Sequence, residues 1–106
     1  ADLVAAYALT MACADLLDRF ERSTLTRTEL AIPAYAARTT ATRAALRATN
    51  EIFQLMGTRS TRRVNGFDRH WRNARTLSLH DPIDWKYVEI GDNVLNDWDP
   101  PFSPYT

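Results

Sequence analysis

The sequence predicts an all-α fold, an up-down four-helix bundle, on three observations. Apolar residues recur at spacings of three and four through most of the chain. No stretch alternates with the period of a strand, and the loop-forming residues gather mainly between the periodic segments. The 106 residues are enough for one domain and too few for two. The predicted division is a helical-bundle domain over 1–97 and an extended tail rich in proline and aromatic residues over 98–106.

In the first segment Leu3, Val4, Tyr7, Met11, Ala14, Leu17 and Phe20 mark one apolar helix face, so a first helix is predicted to about Arg22. Its pattern starts at the first residues, without an initiating Met or room for a cap. The expectation is a piece of a longer polypeptide that begins inside a helix. The polar link "RSTLTRT" suits a short connection between antiparallel helices. From about Thr28 to Met56 the periodic positions are mostly alanine (Ala34, Ala37, Ala41, Ala45, Ala48, between Leu30 and Leu55), which allows close backbone approach and predicts a central packing helix. Pro33 removes a hydrogen bond at a cost of about 3 kcal/mol, so the helix should start near Ile32 or kink there. Gly57 is its C-cap, and "TRSTRRVNG" is a loop. Phe67, Trp71, Ala74 and Leu77 or Ser78 support a third helix to Leu79. Asp81 as N-cap and Pro82 as first helical residue open a fourth through Trp85, Val88, Ile90 and Val94 or Leu95. In the tail, Trp98, Phe102 and Tyr105 are expected to lie on a surface, that of this chain or of a neighbouring subunit.

Thirteen Lys and Arg balance thirteen Asp and Glu, so the whole molecule is not drawn to nucleic acid or to an anionic membrane. No run approaches the roughly 18 apolar residues of a membrane span. Cys13 is the only cysteine, which excludes an internal disulfide and a thiolate metal site and fits a reducing, cytoplasmic setting. Two histidines with nine residues between them, and scattered acids, match no metal-ligand spacing.

Both histidines and two of the three tryptophans lie in "RHWRNARTLSLHDPIDWKYVEIG", Arg69 to Gly91. His80, at a helix end beside Asp81, has the side chain suited to proton transfer near neutral pH; a plain capping role at the helix C-terminus remains open. Arg59, Arg62, Arg63, Arg69, Arg72 and Arg75 form a window broken only by Asp68, suited to a phosphate or a nucleic-acid backbone, or to solvent and structural ion pairs. "QLMGT" joins a helix end to a glycine turn, where backbone N–H groups and the Gln54 amide can meet a cofactor.

Taken together, "ATNEIFQLMGTRSTRRVNGFDRHWRNARTLSLHDPIDWKYVEIGDNVLN" resembles the C-terminal helical domain of the acyl-CoA dehydrogenase superfamily, and "DRHWRNARTLSLHDP" with "KYVEIGDNVLN" resembles its flavin-dependent monooxygenase branch, the dibenzothiophene monooxygenase type. The first two helices match only in pattern and length. The resemblance implies a subunit with an N-terminal helical domain, a middle β domain and this bundle, assembled as a homotetramer, with flavin (FMN or FAD) as cofactor. The family's "QxxGG" segment, which approaches the flavin of an adjacent subunit, matches Gln54, Gly57 and Thr58, threonine standing where the second glycine does. Asp81 stands where the dehydrogenases carry their carboxylate base, with Asp for Glu and Pro82 for Gly. The monooxygenase branch places the histidine of "LHDP", His80 here, beside the flavin ring as a general acid/base. The implied function is a two-component monooxygenase supplied with reduced flavin by a separate reductase and acting on a small heteroaromatic or organosulfur substrate. The alternatives are an FAD-dependent acyl-CoA dehydrogenase with Asp81 as base and, in another class, a non-catalytic nucleic-acid-binding module using the arginine window.

Overall fold

The computed structural model describes residues 1–22 and 25–101. Five helices follow in order: α1 (Asp2–Phe20), α2 (Arg27–Glu51), the single turn α3 (Phe53–Met56), α4 (Asp68–His80) and α5 (Ile83–Asn96). Two 3-10 turns, Thr58–Thr61 and Arg63–Asn65, lie between α3 and α4. No strand occurs among the described residues. The four long helices make an elongated bundle, 54 × 23 × 23 Å, in which α1, α4 and α5 all pack on α2. The predicted central helix is therefore the hub.

A capping box fixes where α2 starts. The Thr26 hydroxyl accepts from the Glu29 N–H at 3.2 Å, and the Thr26 N–H donates to the Glu29 carboxylate at 2.9 Å. Pro33 neither starts the helix nor breaks it: α2 runs from Arg27 through it. Two orphan N–H groups satisfied at the cap offset the hydrogen bond that proline removes in the second turn. The predicted extension to Met56 is interrupted at Ile52, after which α3 adds one turn and ends on Gly57.

The faces that α1 and α5 present differ from expectation. On α1 the buried residue is Ala6, with Cys13 and Leu16 partly covered, whereas Leu3 (78% exposed), Val4, Tyr7 and Leu17 look outward. The predicted apolar stripe is the outer face, because α1 approaches the alanine-rich side of α2 through its own small residues. In α5 the inversion is stronger. Lys86 is buried and Glu89, Ile90 and Asn93 are half-buried against α2, while Trp85 (66% exposed), Val88 and Leu95 point the opposite way. Of the predicted α4 stripe, Ser78 is buried and Ala74 half-buried, whereas Phe67, Trp71 and Leu77 are exposed.

Beyond α5 the chain turns at Asp97, whose φ of 52° is left-handed, and residues 99–101 lie against the start of α2. Arg27 donates to the carbonyls of Pro100 (2.7 Å) and Pro101 (3.4 Å), and the Thr28 hydroxyl donates to Asp99 Oδ1 at 2.9 Å. The described part of the tail thus lies on a surface of this chain; Phe102 and Tyr105 fall outside the described residues. Arg27→Ala is expected to raise amide exchange at Trp98 and Asp99, the two residues of this stretch with an N–H, by about tenfold, the loss of a charge-assisted hydrogen bond, while α4 amides are unaffected. Equal exchange in the two proteins would show that the tail is held otherwise.

Candidate functional site

The turn between α4 and α5 gathers most of the buried charge. α4 ends at His80, Asp81 takes an extended conformation (φ −138°, ψ 94°), Pro82 occupies the N-cap position and α5 begins at Ile83. Asp81 was expected to cap α5, but its carboxylate makes no cap bond there. It is buried and turned towards two cations. Its Oδ2 lies 3.5 Å from Lys86 Nζ and 3.8 Å from Arg38 Nη1, and its backbone carbonyl accepts from Arg38 Nη2 at 2.9 Å. Attraction from two cations in a water-poor site outweighs a single exposed cap bond.

Lys86, the only lysine of the chain, is 3% exposed. A buried ammonium needs partners, and several surround it. Besides Asp81, Glu89 Oε2 accepts from its Nζ at 3.1 Å, and the Tyr35 ring lies beneath it at 4.3 Å from the centroid. Two cations and two carboxylates leave this cluster without net charge. The Tyr35 hydroxyl and Arg38 Nε are buried without a hydrogen-bond partner among the described residues. The ammonium, a compact point charge with three donors, meets the ring face and both carboxylates at once.

His80 is exposed at the C-terminal end of α4, immediately before this anchored residue. Gln54, Gly57 and Thr58 lie at the other end of the bundle. From Arg38, which touches Asp81, to Gln54 is 16 positions, helical but for the break at Ile52, about 24 Å at 1.5 Å per residue. One copy of the chain therefore does not bring His80 and Asp81 together with Gln54, Gly57 and Thr58. Gly57 holds φ 78° and ψ −179°, a region essentially confined to glycine. No atom lies within 4 Å of where a Cβ would stand, so the segment offers bare backbone to open space. Gly57→Ala is expected to destabilise by about 1–3 kcal/mol through backbone strain alone, measured by chemical denaturation; a change near zero would mean the turn relaxes.

The arginine window is exposed throughout. Arg59 and Arg63 sit on the two 3-10 turns, Arg62 between them and the other three on α4. Arg72 donates to Asp68 at 2.7 Å, holding that carboxyl below its ordinary range. Because the folded-state value is depressed, the pair contributes at neutral pH and is lost as pH falls below about 4. A groove of about 760 Å³ runs between α1, α2 and α4, lined by Asp2, Arg43, Arg47, Trp71 and Arg75 among others. None of the five predicted site residues lines it. No helix among the described residues is long and apolar enough to cross a membrane.

The sequence did not point to Arg38, Lys86, Glu89 or Tyr35 as a cluster. One signal was available: a single lysine in a chain whose other basic residues are all arginine, three residues before a glutamate on the same helix.

Residues 1–85 match the family described as acyl-CoA dehydrogenase, C-terminal domain. Among curated relatives, the dibenzothiophene monooxygenase of Mycolicibacterium goodii is 47% identical over 66% of this chain. The probable FMNH2-dependent monooxygenase SfnC of Pseudomonas putida is 42% identical over 76% of it. The chain spans 17% and 20% of their respective lengths. Among solved structures, TdsC from Paenibacillus sp. A11-2, in a complex with FMN and indole, superposes with a TM-score of 0.90 at 34% identity, over 99% of this chain and 28% of that one. Methanesulfinate monooxygenase MsuC from Pseudomonas fluorescens gives 0.88 at 36% identity over the same shares.

Proposed function

The chain belongs to the acyl-CoA dehydrogenase C-terminal domain family, and on that premise we propose that it is the C-terminal bundle of a two-component, FMNH2-dependent monooxygenase. The observation that carries this reading is the likeness, along all four long helices, to proteins named for that chemistry. The fit to a flavin rests on the chain's own residues. Gln54, Gly57 and Thr58 would hold the cofactor of one site, where an amide side chain and exposed backbone meet open space beside Gly57. His80 and Asp81 would belong to another, since about 24 Å of helix separates the two groups. A homotetramer, in which one subunit completes the site of the next, accommodates that separation.

Reduced flavin, when bound, supplies the two electrons with which one oxygen atom of O2 reaches the substrate and the other leaves as water. His80 has the side chain to deliver or accept the proton that this requires. Asp81 has a different task. Its carboxylate is committed to Arg38 and Lys86, which suits an anchor for the turn and speaks against the acyl-CoA dehydrogenase alternative, where it would take a substrate proton. The substrate class is a small heteroaromatic or organosulfur compound, and a separate reductase supplies the flavin in the same compartment, the cytoplasm.

The test uses the complete protein with FMNH2 generated by a reductase. Under oxygen it should convert dibenzothiophene to its S-oxide, consuming one FMNH2 and one O2 and releasing one water per product. Bleaching of bound FAD by an acyl-CoA without oxygen, with no sulfur oxidation, would place it among the dehydrogenases instead.

A further inference from the structure

We propose that Arg38 is a positioning residue for His80, acting through the backbone of the His80–Asp81–Pro82 turn; this rests on the role given to His80 above. Arg38 is the residue of α2 that reaches this turn with both terminal nitrogens, one to the Asp81 carbonyl at 2.9 Å and one towards its carboxylate at 3.8 Å. The imidazole belongs to the residue immediately before, at the last position of α4. Arg38 holds the Asp81–Pro82 peptide, one peptide beyond the His80 Cα, and through it restrains the backbone that carries the imidazole.

Among the described residues no side-chain cap on α5 fixes that peptide. Asp81 has left helical geometry, Pro82 offers no N–H, and no side chain caps α5. The restraint comes from α2, the hub of the bundle, so the turn is referenced to the most packed element of the molecule. Lys86 completes the arrangement from α5: with Glu89 it balances the charge around Asp81, so that the carboxylate stays turned inwards. A proton-transfer group must be held within a fraction of an ångström to be effective, and this is the function assigned to Arg38.

The test compares Arg38→Gln and Arg38→Lys with the unaltered complete protein, and each with a His80→Ala partner. In flavin-free protein, amide exchange over residues 79–83 should rise about tenfold in Arg38→Gln with α1 amides unchanged. With FMNH2 and dibenzothiophene, kcat should fall by about tenfold and KM should stay within about twofold. Arg38→Lys, which keeps a cation but not the fork, should recover part of the rate and serves as the folding-competent variant if the glutamine form is unstable. In the His80→Ala background, Arg38→Gln should have no further effect on kcat.

Unchanged exchange, or the same loss of kcat with and without His80, would overturn the proposal. If His80→Ala alone leaves kcat intact, the role of His80 fails, and a positioning role for Arg38 fails with it. If dibenzothiophene is not oxidised at all, the substrate reading fails, and exchange at residues 79–83 decides the inference.

Discussion

Product formation by the complete protein carrying His80→Ala is expected to fall by about 10²- to 10⁴-fold, the range for loss of a general acid/base. FMN affinity and melting temperature should stay close to those of the unaltered protein. The expectation follows from where the residue sits: His80 is exposed at a helix end, so its removal opens no cavity in the bundle. Reduced flavin should still be consumed, with its electrons appearing as hydrogen peroxide rather than oxidised substrate. Full turnover in the variant would remove His80 from the chemistry and leave it as a helix cap. A loss of product accompanied by loss of folded protein would contradict the exposed position.

The largest effect on stability is expected at Asp81. Asp81→Ala leaves Lys86 buried with Glu89 as its remaining carboxylate partner among those identified, and leaves Arg38 with nothing on the turn but a backbone carbonyl. Removing one member of a buried ion pair costs about 3–5 kcal/mol, and Glu89 should keep the cost near the lower figure. The size of the penalty comes from the stranded cation, not from the lost carboxylate. Adding Lys86→Met to Asp81→Ala should therefore recover part of the loss, because the uncompensated charge goes with it. Chemical denaturation of the complete protein measures both. Simple additivity of the two losses would show that the pair is uncoupled and that the short distances carry little energy.

How much of this was legible in the residues depends on what each signal records. Helical period, the glycine stop at Gly57 and the hub role of α2 follow from local rules, and the structure has them. On α4, Ala74 and Ser78 turn inward as expected, where the helix packs on α2, while Phe67 and Trp71 of the same stripe stay exposed. On α1 and α5 most of the residues that the same period marks look away from the bundle, half-buried Ile90 being the exception on α5. An apolar stripe states that a face is suited to be covered; it does not name the cover. Nor does periodicity register a polar interior, and α5 packs through Lys86, Glu89 and Asn93, which a hydrophobic pattern scores as solvent. For the candidate site, His80 and Asp81 could be singled out by chemistry, yet the partners of Asp81 are 43 positions before it and five after it. Such a pairing depends on the packing of three helices and has no local signature.

The bond from Arg27 to the Pro100 carbonyl joins positions 73 residues apart, and this separation bears on the order of folding. Closing so long a loop carries a large entropic cost that is recovered only after the helices between have formed and docked. The tail should therefore attach after the rate-limiting barrier, and its contacts should be absent from the transition state. Loosening it by Arg27→Ala would then leave the refolding rate unchanged and quicken unfolding alone, so that the last few described residues govern how long the bundle stays assembled rather than how fast it forms.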